Sequence, residues 1–304
     1  MKDQNIIEVN NLRKSYEELE AVKGVNFSVS KGELFGLIGP DGAGKTSIFR
    51  ILTTLLYPNA GSVSMMNMDV VKDYRKIRNH LGYMPQRFSL YQDLSVEENL
   101  AFFARIFGTS ISENYELIKD IYVQIEPFKT RKAGKLSGGM KQKLALSCAL
   151  IHSPEILILD EPTTGVDAVS RKEFWEMLIR LKEKGITILV STPYMDEANM
   201  CDRVALIQNG KIMSIDTPRK IIKNFGRKLW AVKSENMYQL IHDLKKMEKV
   251  DSVFPFGEYL HATVKSEEDD LADWSDVIKK SGHQEIEINQ IDANIEDCFM
   301  ELMD

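Results

Sequence analysis

One stretch limits the possible folds of this chain more than any other. "GPDGAGKTS", residues 39–47, follows the apolar run "LFGLI" and opens a helical pattern. It matches G-x-x-x-x-G-K-[ST], in which glycines let backbone N–H groups wrap phosphates, a lysine reaches the β/γ-phosphates and a hydroxyl can ligate Mg²⁺. We call residues 39–47 the phosphate loop. They predict a site for ATP and Mg²⁺, formed by Gly39, Pro40, Asp41, Gly42, Ala43, Gly44, Lys45, Thr46 and Ser47.

Strand and helix patterns alternate around this loop. Three short apolar runs fit strands covered on both faces: "LFGLIG", "EILILDEP" and "GITILVST". Between them lie helical patterns such as "KTSIFRILTTLL" and "RKEFWEMLIRLKEKG", the second closed by Gly185 at a C-cap position. This order predicts an α/β domain with a mixed, largely parallel sheet.

Two acidic residues end the second of these strands. Asp160 and Glu161 follow four apolar residues, where a buried carboxylate is costly unless it meets a cation or a reacting water. Asp160 suits Mg²⁺, and Glu161 suits the general base that deprotonates an attacking water. Two such acids alone would more often cap a helix; the preceding phosphate loop favours the catalytic interpretation.

A second helix start carries small residues. In "LSGGMKQ", residues 136–142, Ser137, Gly138 and Gly139 precede the helical pattern "MKQKLALSCALI". Such a helix N-terminus can approach a phosphate closely. Because the chain has one lysine-bearing loop, this second site would need ATP held by another subunit. The alternative for the motif alone is an ordinary N-capped helix.

The pattern of predicted strands and helices changes near Gly226. From "LWAVKSE" we predict strand, helix (residues 237–247), strand (252–256), strand (259–265), helix (270–281) and strand (285–291), then a last helix "NIEDCFMELM". That βαββαβ order is ferredoxin-like in outline. It predicts two domains, residues 1–225 and 226–304.

Charge and composition narrow the function classes. The chain has 39 Lys+Arg and 45 Asp+Glu, and residues 227–304 hold 9 and 18 of them, so an acidic surface dominates this tail. The lack of a basic patch argues against nucleic acid as the main partner. No apolar run is long enough for a membrane span, and we expect a cytosolic chain. Cys148, Cys201 and Cys298 are scattered, which predicts reduced, packed thiols.

Together these motifs resemble the nucleotide-binding subunit of an ABC transporter. The resemblance covers roughly residues 4–220. Its motifs are the phosphate loop, Gln86 in "YMPQRF", the signature 136–142 with Gln142, the acidic pair Asp160 and Glu161, and Asp167 in "TTGVD". It implies a P-loop NTPase fold and a head-to-tail dimer that sandwiches two ATP molecules between the phosphate loop of one chain and the signature of the other. Gln86 would then contact Mg²⁺ and the attacking water.

The resemblance also implies partners and a location. A helical subdomain within residues 87–145 would touch integral membrane subunits, and the protein would lie on the cytoplasmic inner face of the membrane beside a second ABC ATPase domain. The segments "YMPQRFSLYQDLSVEENL" and "STPYMDEANMCDRVALIQNGKI" look like ATPases of the ABC-2 type, which mostly drive export.

Three positions depart from the family pattern or leave alternatives open. Tyr16 would face adenine but could equally be surface packing, and Asp41 replaces a more usual asparagine. Pro193 stands where the family usually places a histidine that contacts the γ-phosphate, and proline has neither a side-chain donor nor an N–H. His152 precedes the acidic strand and is expected to be a surface residue rather than a ligand.

Three functions therefore compete. The first is the ATP-hydrolysing motor of a membrane exporter. The second is a soluble ABC ATPase that works on ribosomes or DNA, which usually has two nucleotide-binding modules or a long coiled coil. The third is a regulatory subunit with weak hydrolysis, which Pro193 favours. For Pro193 we expect asymmetry: a partner ATPase that keeps its histidine, completed by Ser137 and Gly139 of this chain, with a homodimer as the alternative.

Overall fold

The computed structural model describes residues 5–265 and 275–303 and divides the chain into two compact units, Met1–Pro218 and Arg219–Asp304. The division falls before the predicted boundary at residues 225 and 226. Ile221 already falls in the second unit. Its side chain is buried, and its carbonyl accepts from the Cys298 thiol at 3.7 Å. The independence of the two predicted domains stays a prediction.

Among the described residues, ten strands and six α-helices lie in the first unit, and a seventh helix starts at the last residue of that unit, Pro218, and continues into the second unit. The strands are β1 (Asn5–Tyr16), β2 (Leu19–Ser30), β3 (Leu34–Ile38), β4 (Ala60–Met65), β5 (Met68–Asp69), β6 (Leu81–Met84), β7 (Ile156–Asp160), β8 (Thr187–Thr192), β9 (Arg203–Gln208) and β10 (Lys211–Asp216). The helices are α1 (Lys45–Leu52), α2 (Tyr74–Asn79), α3 (Val96–Ile106), α4 (Tyr115–Tyr122), α5 (Gly138–Leu150), α6 (Ala168–Glu183) and α7 (Pro218–Lys223).

The central sheet of this unit has the order β10-β9-β3-β8-β7-β6. Neighbours from β9 to β6 are parallel, and only the edge strand β10 runs antiparallel to β9. Strands β3, β7 and β8 are buried along their whole length, as their continuous apolar runs predict. Their carboxyl ends therefore meet at one edge, where ligands bind in open α/β sheets.

A smaller antiparallel sheet has the order β2-β1-β4-β5 and shares one apolar core with the central sheet. Helices α3 and α4 lie within the segment 87–145 predicted as a helical subdomain, and α5 begins there but continues to Leu150. Helix α1 is shorter than the pattern "KTSIFRILTTLL" predicts: Thr54 adopts a positive φ of 62°, and the N–H groups of Leu55 and Leu56 turn back to the carbonyl of Arg50.

The second unit contains β11 (Leu229–Lys233), α8 (Met237–Lys246), β12 (Val250–Phe256), β13 (Tyr259–Val264), α9 (Ser275–Lys280), β14 (Glu287–Ile291) and α10 (Ile295–Glu301). This is the predicted element order, although residues 270–274 of the predicted helix 270–281 lie outside the described residues. The sheet order is β12-β13-β11-β14, with all neighbours antiparallel. Its kinship with ferredoxin-like domains stays a prediction.

Two further expectations concern membranes and thiols. Among the helices of residues 5–265 and 275–303, none combines the length and apolarity of a membrane span. Cys148, Cys201 and Cys298 are all free and buried, which confirms that they are packed thiols.

Candidate active site

The phosphate loop joins β3 to α1 at the carboxyl edge of the central sheet. Gly44 has φ of 104°, and a Cβ there would lie 2.5 Å from the carbonyl oxygen of Ala21. A Cβ on Gly39 would lie 2.1 Å from the carbonyl oxygen of Ile207. Only glycine fits these two positions, and the resulting turn leads into the N-terminus of α1, whose N–H groups and dipole favour an anion.

Lys45 is the buried cation of the loop. Its ammonium donates to the carbonyls of Gly39 at 2.7 Å and Pro40 at 3.0 Å, and it lies 3.1 Å from Oε1 of Glu161. The two charged side chains are 2% and 4% exposed. Charges so poorly solvated attract an opposite charge more strongly than exposed ones. The structure thus pairs the predicted phosphate-binding lysine with the predicted general base.

The remaining loop residues differ in exposure. Asp41 and Gly42 are exposed at the tip, whereas Ala43 is buried. Ser47 lies in the first turn of α1 and its hydroxyl is 3.1 Å from the Tyr16 hydroxyl. The Tyr16 ring is 41% exposed and carries the Lys14 ammonium 5.4 Å from its centre. Tyr16 therefore borders the loop with an accessible face, which suits a stacking base.

Asp160 ends β7 beside the loop. Its Oδ1 accepts from the Ser191 hydroxyl at 2.8 Å and the Thr46 hydroxyl at 3.3 Å. Within the described part of the chain its Oδ2 is buried without a partner. Burial raises the pKa of Asp160, against the lowering effect of these two hydroxyls.

The donor set around Asp160 fits a hard divalent cation. A buried carboxylate oxygen without a partner costs about 1–3 kcal/mol. Carboxylate, hydroxyl and amide oxygens are the ligands that Mg²⁺ prefers, and it also keeps several waters or phosphate oxygens. Asp160, Thr46 and Gln86 can supply such oxygens, so the residues present are compatible with the predicted Mg²⁺.

Glu161 is held in an unusual backbone conformation. Its φ is 49°, in the left-handed region that non-glycine residues seldom adopt. The strain, of order 1–3 kcal/mol, is offset where neighbours fix the residue. Its N–H donates to the hydroxyl of Ser191 at 3.0 Å, and Gln86 Nε2 donates to its Oε2 at 2.7 Å. The predicted catalytic pair, Glu161 and Gln86, is thus in direct contact.

Ser191 links both acids but was not predicted as a site residue. Its hydroxyl donates to Asp160 and accepts from the N–H of Glu161. The signal was present in the strand register, since Asp160 of β7 faces Ser191 of the parallel strand β8. A polar residue at the end of the neighbouring strand could have been paired with the acidic strand end.

The signature forms a separate group. Ser137 is the N-cap of α5 and accepts from the N–H of Met140 at 3.3 Å. Gly138 and Gln142 line a cavity of about 220 Å³ together with Gln86. Among the described residues, no hydrogen bond joins residues 137–139 to the phosphate loop. Within the described chain, the signature thus borders Gln86 without a hydrogen bond to the phosphate loop, and its contact with ATP held by a second chain stays a prediction.

Asp167 has a structural task within the chain. As the N-cap of α6 it accepts from the N–H groups of Val169 at 3.1 Å and Ser170 at 3.0 Å. These backbone hydrogen bonds, that of Ser170 first, lower the pKa of Asp167. Its carboxylate is therefore committed to the helix, and contact with nucleotide or partner stays a prediction.

His152 is not the surface residue that we expected. Its ring stacks on Phe107 with centroids 3.8 Å apart, and Nε2 is 3.2 Å from the carbonyl oxygen of Leu81. Burial lowers the pKa of His152 to about 4. The expectation was wrong because helix α3 brings an aromatic side chain over the loop before β7, which the sequence around His152 does not reveal.

Known proteins place this site in a family. A family model described as ABC transporter matches residues 22–164. The chain is 34% identical over 300 residues to the Nod factor export ATP-binding protein I of Burkholderia pseudomallei (strain K96243), with 97% of this chain and 96% of that protein covered. It is 42% identical over 217 residues to the probable multidrug ABC transporter ATP-binding protein YbhF of Escherichia coli (strain K12), covering 71% of this chain. The match spans only 38% of the length of YbhF.

Solved structures agree. The ATP binding subunit of an ABC transporter superposes with a TM-score of 0.66 at 29% identity, covering 73% of this chain and 93% of that one. The ATP-binding cassette MJ0796, in a dimeric post-hydrolysis state bound to ADP and Pi, gives a TM-score of 0.62 at 26% identity, covering 69% and 98%.

The chain belongs to the family of ABC transporter ATP-binding proteins. Membership confirms the predicted resemblance, the P-loop NTPase fold with its mixed, largely parallel sheet, and the ATPase class.

Proposed function

We propose that this chain hydrolyses ATP in a head-to-tail dimer and thereby powers an exporter in a membrane. The observation that carries the proposal is the buried contact of Lys45 with Glu161 and of Glu161 with Gln86. The contact brings together a lysine, a carboxylate and an amide, the groups that phosphate binding, proton abstraction and orientation of water would require. ATP would lie on the phosphate loop, with Tyr16 against the base and Ser137, Gly138, Gly139 and Gln142 of the second chain closing over the phosphates.

The Lys45–Glu161 ion pair suggests how binding prepares catalysis. One carboxylate oxygen of Glu161, Oε1, is occupied by the Lys45 ammonium at 3.1 Å. The β/γ-phosphates compete for the Lys45 ammonium, which frees Oε1 of Glu161 while Oε2 stays hydrogen-bonded to Gln86. Arrival of the nucleotide would then release the base at the moment when it is needed, and Glu161 would accept the proton of the attacking water.

Mg²⁺ would be held by Thr46, Asp160 and Gln86. When bound, the ion neutralises charge that develops on the phosphate oxygens. Asp160 contributes the buried Oδ2 that lacks a partner among the described residues, and Ser191 fixes the other carboxylate oxygen.

We infer the partners and the direction of transport from the named relatives. The Nod factor export protein is matched along nearly its whole length, and YbhF is described as a multidrug transporter component. We therefore infer that integral membrane subunits receive the motion of the dimer, that the helical segment 87–145 contacts them, and that the protein lies on the cytoplasmic face of the membrane. Copurification with an integral membrane protein would support this partner; copurification with ribosomes or DNA would contradict it.

Pro193 favours a second candidate, a regulatory subunit with weak turnover. It follows β8, whose last residue Thr192 accepts the N–H of Gly39 at 3.3 Å through its carbonyl. The backbone of the strand end thus contacts the phosphate loop, but the proline can donate nothing to a phosphate.

Steady-state ATP hydrolysis by the purified chain tests the proposal. Glu161→Gln should lower the rate at least about 100-fold, because the base is lost while the shape remains. ATP binding should be retained, since Lys45 is unchanged. Equal rates for the two proteins would refute Glu161 as the base, and no hydrolysis above background by the wild type would favour the regulatory candidate.

A further inference from the structure

Glu197 is a buried acid to which neither the motifs nor the comparisons assign a role. It lies on the 3₁₀ segment Met195–Met200 that follows β8, and its side chain is 3% exposed. Burial raises its pKa against the lowering influence of hydrogen bonds from neighbouring hydroxyls. A buried carboxylate is retained at a cost, so its contacts are informative.

Those contacts join two chain segments that border the active site. Glu197 Oε2 accepts from the Thr163 hydroxyl at 3.1 Å and from the Thr192 hydroxyl at 2.5 Å. Thr163 lies two residues beyond Glu161, and the carbonyl of Thr192 accepts the N–H of Gly39 in the phosphate loop. One carboxylate oxygen therefore ties the loop that carries the base to the strand end that touches the phosphate loop.

The other oxygen faces the helix that follows this loop. Arg171 of α6 lies with Nε 3.7 Å from Glu197 Oε1, and its guanidinium also covers the Tyr194 ring at 4.8 Å and reaches Asp196 at 3.4 Å. Glu197 thus holds the segment 161–167, between β7 and α6, at Thr163. It also contacts Arg171, just beyond the end of that segment. The left-handed φ of Glu161 requires such outside support.

We propose that Glu197 is a positioning residue for the catalytic carboxylate of Glu161, acting through Thr163 and Thr192. Pro193 supplies no hydrogen-bond donor at the end of β8. The contacts of Glu197 with Thr163 and Thr192 instead fix the position of this strand end relative to Glu161. Glu197 touches neither substrate nor water in this scheme; it fixes the segment from which Glu161 projects.

The test measures kcat and KM for ATP in the full chain. In Glu197→Ala, kcat should fall about 10- to 100-fold, because a displacement of about 1 Å at the reacting groups has such an effect. KM should change less than about threefold, since Lys45 and the phosphate loop are untouched. Glu197→Gln keeps an acceptor oxygen for the two hydroxyls and should recover most of the rate.

Glu33 offers a matched control. It is also a buried acid, accepts from the N–H of Ser30 at 2.7 Å and pairs with Arg203 at 3.2 Å, but it precedes β3, at the strand end opposite the phosphate loop. Glu33→Ala should lower the melting temperature without lowering kcat of the folded fraction. A similar fall of kcat in both alanine variants, or an unchanged kcat in Glu197→Ala, would overturn the proposal.

A second readout separates this proposal from the proposed function, on which its catalytic part rests. Hydrogen exchange without nucleotide reports the loop directly, because the N–H groups of Glu161, Thr164 and Val166 are all hydrogen-bonded. Glu197→Ala should speed exchange at these amides about tenfold or more, by local opening. Unchanged exchange there overturns the positioning role even if the wild type does not hydrolyse ATP; absent hydrolysis with faster exchange refutes only the proposed function.

Discussion

In the described part of the first unit, several buried acidic residues around the phosphate loop have an oxygen without a hydrogen bond or a strained backbone. Among the described residues, Asp160 keeps one carboxylate oxygen without a partner, and Glu197 has one oxygen that lacks a hydrogen bond and lies 3.7 Å from Arg171. Glu161 holds a left-handed backbone. All three lie near the carboxyl ends of β7 and β8. Such local costs are expected where a site is built for a ligand rather than for stability alone.

The second unit satisfies its buried histidines. His283 has partners on both ring nitrogens, Ser234 Oγ at 3.2 Å and Asp243 Oδ2 at 3.1 Å. His261 Nδ1 lies 2.6 Å from Asp297, whose other oxygen accepts from the N–H of Asn294 at the start of α10. The first pair links His283 to helix α8, and the second links strand β13 to helix α10.

From this contrast we expect the nucleotide chemistry to lie in the first unit. Paired buried groups stabilise a fold, whereas an unpaired buried carboxylate oxygen can take up a cation. The described part of the second unit also has an unpaired buried group, the Trp230 indole N–H, but it is not a carboxylate. Substitutions in the first unit should therefore alter ATP binding and turnover, and those in the second should alter stability.

The largest effect is expected at Lys45. Lys45→Ala should weaken ATP binding at least about 100-fold, because the buried ammonium supplies the main point charge for the β/γ-phosphates. Isothermal titration with ATP and Mg²⁺ measures it. Lys31→Ala, a lysine with a 64% exposed side chain, is the control and should bind normally. An unchanged affinity of Lys45→Ala for ATP would refute the assignment of the phosphate loop as the ATP site.

The next effect concerns Pro193. If the subunit is adapted to a partner ATPase that keeps its histidine, the isolated chain should turn over weakly and Pro193→His should raise the rate by up to about 100-fold, the contribution of one preorganised donor. Pro193→Ala, which removes the proline without adding an imidazole, should not reproduce the gain. A robust, Glu161-dependent rate that rises little in Pro193→His would instead support a homodimer.

A moderate effect is expected in the second unit. Asp297→Asn should lower the free energy of unfolding of that unit by about 1–3 kcal/mol, since it weakens both the contact with His261 and the cap of α10. ATP affinity should stay within about twofold. Thermal unfolding followed with nucleotide titration measures both, with the exposed Asp276→Asn as control. A large loss of ATP affinity would show that the two units are coupled.

The smallest effect on binding is expected from removing the second unit. A chain ending after Phe225 should fold and bind ATP within about twofold of the full chain, because the phosphate loop and both acids lie in the first unit. A chain ending after Pro218 follows the structural division and should be at least as soluble. It also lacks Ile221, whose apolar side chain the longer fragment would retain without the rest of the second unit. Insolubility of both chains would place the tail in the main core.

Sites made of contiguous residues could be predicted from the sequence alone. The phosphate loop, the acidic end of β7 and the signature depend on local glycine conformations, strand burial and helix starts, and these are encoded over a few neighbouring residues. The family pattern then added Gln86, which the structure places against Glu161.

Contacts between distant segments, in contrast, depend on how the chain folds in three dimensions. Ser191 bridges Asp160 and Glu161, Glu197 joins Thr163 to Thr192, and the Lys45–Glu161 ion pair closes the network. Local patterns specify strands but not the neighbour of each strand, and a hydrogen bond of about 3 Å depends on that register. The packing of parallel strands, rather than any one motif, therefore sets the positions of the reacting groups.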